Sequence, residues 1–206
     1  MLKKIAFVVT LFATPVLPAL AQRSAFSVME ATVDDVRRAL ETGQATCQSV
    51  VRDYLARIDA YDKSGPGLNA VQTVNQRALQ DAERLDALFR ASGPVGPLHC
   101  VPVLIKDQVE TIDMPTMYGS VLFKDFIPKR DATIVTRLKN AGAVIVAKTT
   151  MGEFAAGYLG SAFGIVRNAY DQTRIASGSS GGTGAGIAAN FATVGIGEDT
   201  GGSVRG

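Results

Sequence analysis

Residues 131–149 read DATIVTRLKNAGAVIVAKT. Ile134, Val135, Leu138 and Ala141 recur at helical spacing, and Gly142 supplies a stop, so 131–142 is expected to be a helix with those four residues inward. AVIVAKT, 143–149, is a continuous apolar run, as in a strand buried on both faces. A helix feeding a two-sided buried strand is half of an α/β unit.

The same alternation extends in both directions. LHCVPVLIKD (98–107) carries a second apolar run with Pro102 inside it, suiting a buried strand whose edge or start tolerates proline. Further upstream, NQRALQDAERLDALFRASG is a helix with Ala78, Ala82, Leu85 and Phe89 on one side. LNAVQTV suits a strand, and SGPG (64–67) a turn. TCQSVVRDYLARIDAYD places Val51, Tyr54, Leu55 and Ile58 on one helical face, and Thr32 with Asp35 resembles a capping box. Downstream, ASGSSGGTGAGIAANFATVGIGEDTGGS reads as a Gly/Ser loop, a small-residue helix from about Thr183 to Asn190, a strand over Thr193–Ile196, and a second Gly/Ser loop. Strands alternating with helices indicate an α/β domain with a largely parallel sheet.

The 206 residues are 47% hydrophobic and 19% charged, a globular balance. There are 21 basic and 19 acidic side chains. Leaving out Lys3 and Lys4, which precede an apolar run, the count is balanced, and no basic surplus points to nucleic acid. MLKKIAFVVTLFATPVLPALAQ has the form of a secretory signal peptide: a lysine pair, an apolar stretch broken by Pro15 and Pro18, and Ala19-Leu20-Ala21 before Gln22. Residues 1–21 are therefore expected to be removed, leaving 22–206 as an exported protein, periplasmic or secreted, with no membrane attachment after cleavage. Cys47 and Cys100 are far apart and are expected to be two buried free thiols. With His99, the single histidine, they have no recognisable metal-ligand spacing, so no metal or cofactor is expected.

Four chemistries compete for the two glycine–serine loops. A phosphate loop needs Gly-Lys-Ser/Thr, which is absent, and G-x-G-x-x-G fails because position 187 is Ile187. Gly178-Ser179-Ser180-Gly181-Gly182 fits a nucleophile elbow, but that motif needs a downstream histidine, and His99 lies upstream. No serine has a lysine three residues on. The fourth chemistry is a serine nucleophile whose base is a lysine elsewhere in the chain.

Here a resemblance becomes specific. GSSGGTGAGIAANFATVGIGEDTGGSVRG resembles the signature of the amidase signature family of serine amide hydrolases. LHCVPVLIKD, AGAVIVAKTTMGEFA and RNAYDQTR are similar to other family segments, in order and at fitting spacings, and coverage runs from about Ala39 to the last residue. The resemblance implies an α/β/α sandwich around a large mixed, mostly parallel sheet, incomplete here at its C-terminus. It implies a triad of Ser203 as nucleophile, Ser179 after a cis Gly178–Ser179 bond as bridge, and Lys106 as base. It also implies an oxyanion hole from the N–H groups of Thr200, Gly201, Gly202 and Ser203. The substrate would be a small-molecule amide, with no cofactor; the oligomeric state is left open. These residue types suit the chemistry. An amine is a useful base only when neutral, which burial favours, and a hydroxyl both donates and accepts.

Other readings stand beside these roles. A lysine at a strand end is more often a snorkelling surface residue, and Gly/Ser loops are mostly turns. The choice of Ser179 over Ser180 rests on the family pattern. Asp107 and Asp199 are expected to orient loops, and Arg205 either pairs with a carboxylate or is solvated. Cys100 and Ser177 stand where the family usually has glycine. Family members also continue well past the nucleophile, so an incomplete sequence is expected, and residues 22–206 alone are expected to be poorly soluble and inactive. The alternatives to an exported amidase are an amidotransferase subunit of the same family and a non-catalytic truncated fragment.

Overall fold

In the computed structural model, residues 26–206 are described; the signal-peptide reading of 1–21 lies outside them. Chain order is α1 (Val33–Glu41), α2 (Cys47–Tyr61), β1 (Val71–Val74), α3 (Ala78–Ser92), β2 (Pro102–Lys106), α4 (Thr133–Asn140), β3 (Val144–Thr149), β4 (Leu159–Gly160), β5 (Gly164–Ile165), α5 (Gly181–Ala188) and β6 (Val194–Ile196). The main sheet has the order β1-β3-β2-β6. The β2/β3 and β2/β6 pairs are parallel and β1/β3 is antiparallel, so the sheet is mixed and mostly parallel. β4 and β5 form a separate two-stranded ribbon. Among the described residues no helix is long and apolar enough to cross a membrane.

The helices start where their side chains can satisfy the free N–H groups. Thr32 and Asp35 form a reciprocal capping box for α1, and Thr46 with Ser49 does the same for α2. Every residue of β2 and β3 is buried, because helices cover both faces. Leu104 packs with residues of α2, α3 and α5, whereas Val103 and Ile105 pack with Val135 of α4. Alternation along β2 therefore assigns Leu104 and Lys106 to the α5 side, and Ile105 and Asp107 to the α4 side. Pro102 is tolerated as the first residue of β2, at the start of a central strand.

Three expectations are corrected. Ile134 is exposed, since Val135 and Leu138 alone turn the short α4 inward. α5 begins two residues earlier than expected, at Gly181, and ends two residues earlier, at Ala188. At Gly182 an added Cβ would lie 2.5 Å from Ala70 O, so only glycine lets the helix start against the ends of β1 and β3. Finally, Cys47 and Cys100 are not free thiols. They form a disulfide, with Cα atoms 5.2 Å apart, because the first turn of α2 packs against the turn entering β2. His99 is buried beside them, its Nε2 3.8 Å from Cys47 Sγ. Paired sulfurs have no thiolate to offer a cation.

Candidate active site

β2 and β6 are parallel neighbours, so both deliver their C-terminal ends to one edge of the sheet. Open parallel sheets commonly place their ligands at that edge. Lys106 ends β2, and Glu198 follows β6 by two residues. The Gly/Ser loop ahead of α5 brings Ser179 to the same point, after a cis Gly178–Ser179 bond as expected.

Lys106 is fully buried, and Ser179 is 1% exposed. Lys106 Nζ donates to Ser179 Oγ at 2.8 Å, and Ser179 Oγ lies 2.9 Å from Ser203 Oγ. Ser203 is half-buried and borders a cleft of about 420 Å³ lined by Ala155, Gly157, Gly178, Glu198 and the 200–203 turn. A continuous hydrogen-bonded line thus runs from a buried amine to a hydroxyl facing an open cleft. Either hydroxyl can turn, so the same line can carry a proton inward from Ser203 to Lys106.

Burial holds the Lys106 amine below its ordinary pKa; the nearby Glu198 carboxylate and, farther off, Asp199 oppose that shift. Glu198 Oε2 is 3.3 Å from Lys106 Nζ, and its other oxygen accepts from Thr200 Oγ1. Sequence reading missed Glu198. Its only signal was position, since a carboxylate just after β6 faces the end of β2 only if those two strands pair.

Geometry separates Ser179 from Ser180. The Ser180 hydroxyl accepts from Glu198 N and donates to Glu198 O, while Ser180 N donates to Ser203 O at 3.0 Å. Ser180 ties the two glycine–serine loops together and stands outside the line of Lys106, Ser179 and Ser203.

The turn bearing Ser203 is organised by Asp199. Its carboxylate accepts from the N–H groups of Gly202 (2.7 Å), Val204 (3.3 Å) and Arg205 (3.1 Å), and pairs with the Arg205 guanidinium at 2.8 and 3.0 Å. The Arg205 pair and these N–H donors hold Asp199 well below the usual carboxylate range. Arg205 therefore pairs rather than standing solvated, although its side chain stays exposed. Of the N–H groups in the expected oxyanion set, that of Gly202 donates to Asp199. The N–H groups of Gly201 and Ser203 make no hydrogen bond among the described residues.

Asp107 also orients a loop, accepting from Met117 N and Gly119 N at 2.8 Å. It lies 3.7 Å from Lys148, a second fully buried lysine. Cys100 and Ser177 both have positive φ, 64° and 60°, in the left-handed region that favours glycine. Ser177 adjoins the cleft-lining Gly178, whereas Cys100 lies at the other end of β2 from Lys106.

Comparison with known proteins agrees with this geometry. Residues 49–206 match the Amidase family. The chain is 41% identical over 181 residues to one subunit of the glutamyl-tRNA(Gln) amidotransferase of Alkaliphilus metalliredigens, covering 86% of this chain and 36% of that protein. It is 42% identical over 177 residues to the corresponding subunit in Rhodopirellula baltica, covering 84% and 35%. The peptide amidase of Stenotrophomonas maltophilia superposes with a TM-score of 0.84 at 36% identity, over 86% of this chain and 38% of that enzyme. The chain thus spans little more than a third of the length of these relatives. Sheet, cis bond and serine–serine–lysine cluster fall within the matched span, and the chain belongs to the amidase family.

Proposed function

We propose that this chain carries the nucleophile, bridge and base of a site that cleaves a carboxamide C–N bond through a serine acyl-enzyme. The observation that carries the reading is the unbroken line Lys106–Ser179–Ser203 ending at a cleft. Ser203 Oγ attacks the amide carbonyl carbon while its proton moves to Ser179 Oγ and the Ser179 proton moves to neutral Lys106. The oxyanion takes hydrogen bonds from N–H groups of the 200–203 turn. The C–N bond then breaks, and the proton held by Lys106 returns along the line to the leaving nitrogen. Water attacks the acyl-Ser203 ester with the same line as base, releasing a carboxylate and restoring Ser203.

The curated relatives favour one setting for this chemistry over a free-standing amidase. Both are amidotransferase subunits, and a chain of that kind would release ammonia from an amide donor for use by partner chains. A second setting, an exported amidase acting on a small-molecule amide with residues 1–21 removed, is favoured by the Cys47–Cys100 disulfide, since such bonds persist in oxidising compartments.

The test uses the protein expressed from its complete reading frame. Ammonia release from glutamine and from a panel of simple amides is measured for the parent and Ser203→Ala, with cell fractionation and N-terminal sequencing alongside. Amide turnover lost in Ser203→Ala supports the reading; turnover at parental rates overturns it. A mature N-terminus at Gln22 outside the cytoplasm selects the exported amidase, and cytoplasmic protein retaining residues 1–21 selects the amidotransferase setting.

A further inference from the structure

Lys106 makes two side-chain contacts that differ in kind. Ser179 Oγ, at 2.8 Å, is neutral and leads to Ser203. Glu198 Oε2, at 3.3 Å, is ionised and leads nowhere in the line. We propose that Glu198 is a positioning residue for the base, holding the Lys106 amine between its own carboxylate and the Ser179 hydroxyl. The inference rests on the serine acyl-enzyme reading given above.

Glu198 is itself held. Its second carboxylate oxygen accepts from Thr200 Oγ1, its N–H donates to Ser180 Oγ, and its carbonyl accepts from the same Ser180 hydroxyl and lies 3.5 Å from Lys106 Nζ. A lysine side chain has four rotatable bonds and loses much rotamer freedom when fixed. Two side-chain acceptors within reach of Nζ fix its direction better than one would.

The carboxylate has a cost for catalysis. It favours the protonated amine, whereas the base must be neutral. The carboxylate therefore opposes the burial that favours the neutral amine, and the base is released as pH rises. The charges that act on Lys106 are Glu198 and, farther off, Asp199. The strand neighbour at the same level, Thr149, offers only a hydroxyl, bonded to Thr183 of α5. Lys148 and Asp107 lie on the α4 face of the sheet and pair with each other. Glu198 is thus the one carboxylate touching the base among the described residues, and its partial exposure lets it be replaced without opening the core.

The experiment follows the Lys106 amine by NMR of its Cε and Nζ nuclei across pH. It uses the protein from its complete reading frame, as parent and as Glu198→Gln, together with kcat/KM profiles. Glu198→Gln keeps the shape and removes the charge. The Lys106 titration, and with it the acid limb of kcat/KM, is expected to move to lower pH by about one unit. In Glu198→Ala, which also removes the hold, kcat is expected to fall roughly tenfold with KM little changed, and Glu198→Gln is expected to restore it below neutral pH. Superimposable Lys106 titrations in parent and Glu198→Gln overturn the inference. If Lys106→Ala abolishes turnover while Glu198→Gln and Glu198→Ala leave both profiles unmoved, the inference alone fails. If Lys106→Ala retains full turnover, the acyl-enzyme reading fails and takes this inference with it.

Discussion

Lys106 and Lys148 sit on neighbouring parallel strands, both with no exposed side-chain surface, and they face opposite sides of the sheet. Both amines are held below the ordinary lysine pKa by burial, Lys148 to about 8. A shifted pKa therefore does not distinguish them. Connection does. Lys148 is enclosed by Asp107, whose oxygens are already fixed by Met117 N and Gly119 N, and by the Thr116 hydroxyl, and that set of contacts closes on itself. Lys106 is joined through one hydroxyl to a second that meets a cleft. Burial makes an amine capable of acting as a base, but only a hydrogen-bonded exit to a reacting atom makes it one.

The largest effect that could break this contrast is on turnover. Lys106→Ala or Ser203→Ala should lower kcat by at least about 10³-fold, the scale seen when a nucleophile or its base is removed, with the urea midpoint little changed for Ser203→Ala. Steady-state ammonia release and chemical denaturation check both halves. Parental turnover in Lys106→Ala would put the two lysines on the same footing.

Lys148→Met should show the opposite pattern. It leaves Asp107 as an uncompensated buried charge, a loss of roughly 3–5 kcal/mol in stability, while the turnover of molecules that remain folded stays near parental. Its pH signature also has a definite sign. Lys148 titrates at about 8 when folded and near 10.5 when unfolded, so between those values the unfolded chain binds the extra proton. Stability from this group therefore rises as pH climbs through that window and is lowest below it. Denaturation across pH 7–10 should show a rising contribution in the parent that Lys148→Met lacks.

A third measurement sharpens the comparison along a single strand. The Cys47–Cys100 disulfide is two residues before β2, and Lys106 is its last residue. The bond closes a sequence separation of 53, and reduction should cost about 2–4 kcal/mol of stability. Turnover per folded molecule should not change, since the disulfide fixes the far end of the strand. Thermal melts with and without reductant, with activity corrected for folded fraction, check this.

The smallest effect belongs to Arg205→Lys. The Asp199–Arg205 pair is exposed on the arginine side, and Asp199 keeps its three backbone donors without it. A modest fall in kcat with an unchanged pH profile is expected. A shift of the acid limb as large as that expected for Glu198→Gln would instead assign part of the Lys106 charge environment to Arg205.

Local patterning by itself determined most of the fold. Apolar runs bounded by Gly and Pro marked β2, β3 and β6, 3.6-residue periodicity marked α2 and α3, and capping residues marked the start of α1, because each signal lies within about ten residues. The family pattern also named Lys106, Ser179 and Ser203, whose line the structure draws at 2.8 and 2.9 Å. What tertiary structure decided involves groups far apart in the chain or brought together by a turn. Glu198 meets Lys106 across 92 residues only because β6 pairs with β2. Cys47 meets Cys100 only because the start of α2 packs against the entry to β2. The Gly202 N–H meets the Asp199 carboxylate only because the turn after β6 folds back on itself. Lys106 and Lys148 are each one buried lysine at the end of an apolar run when read as sequence. Alternation of the strands sent them to opposite faces, one to a closed ion pair and one to two serines.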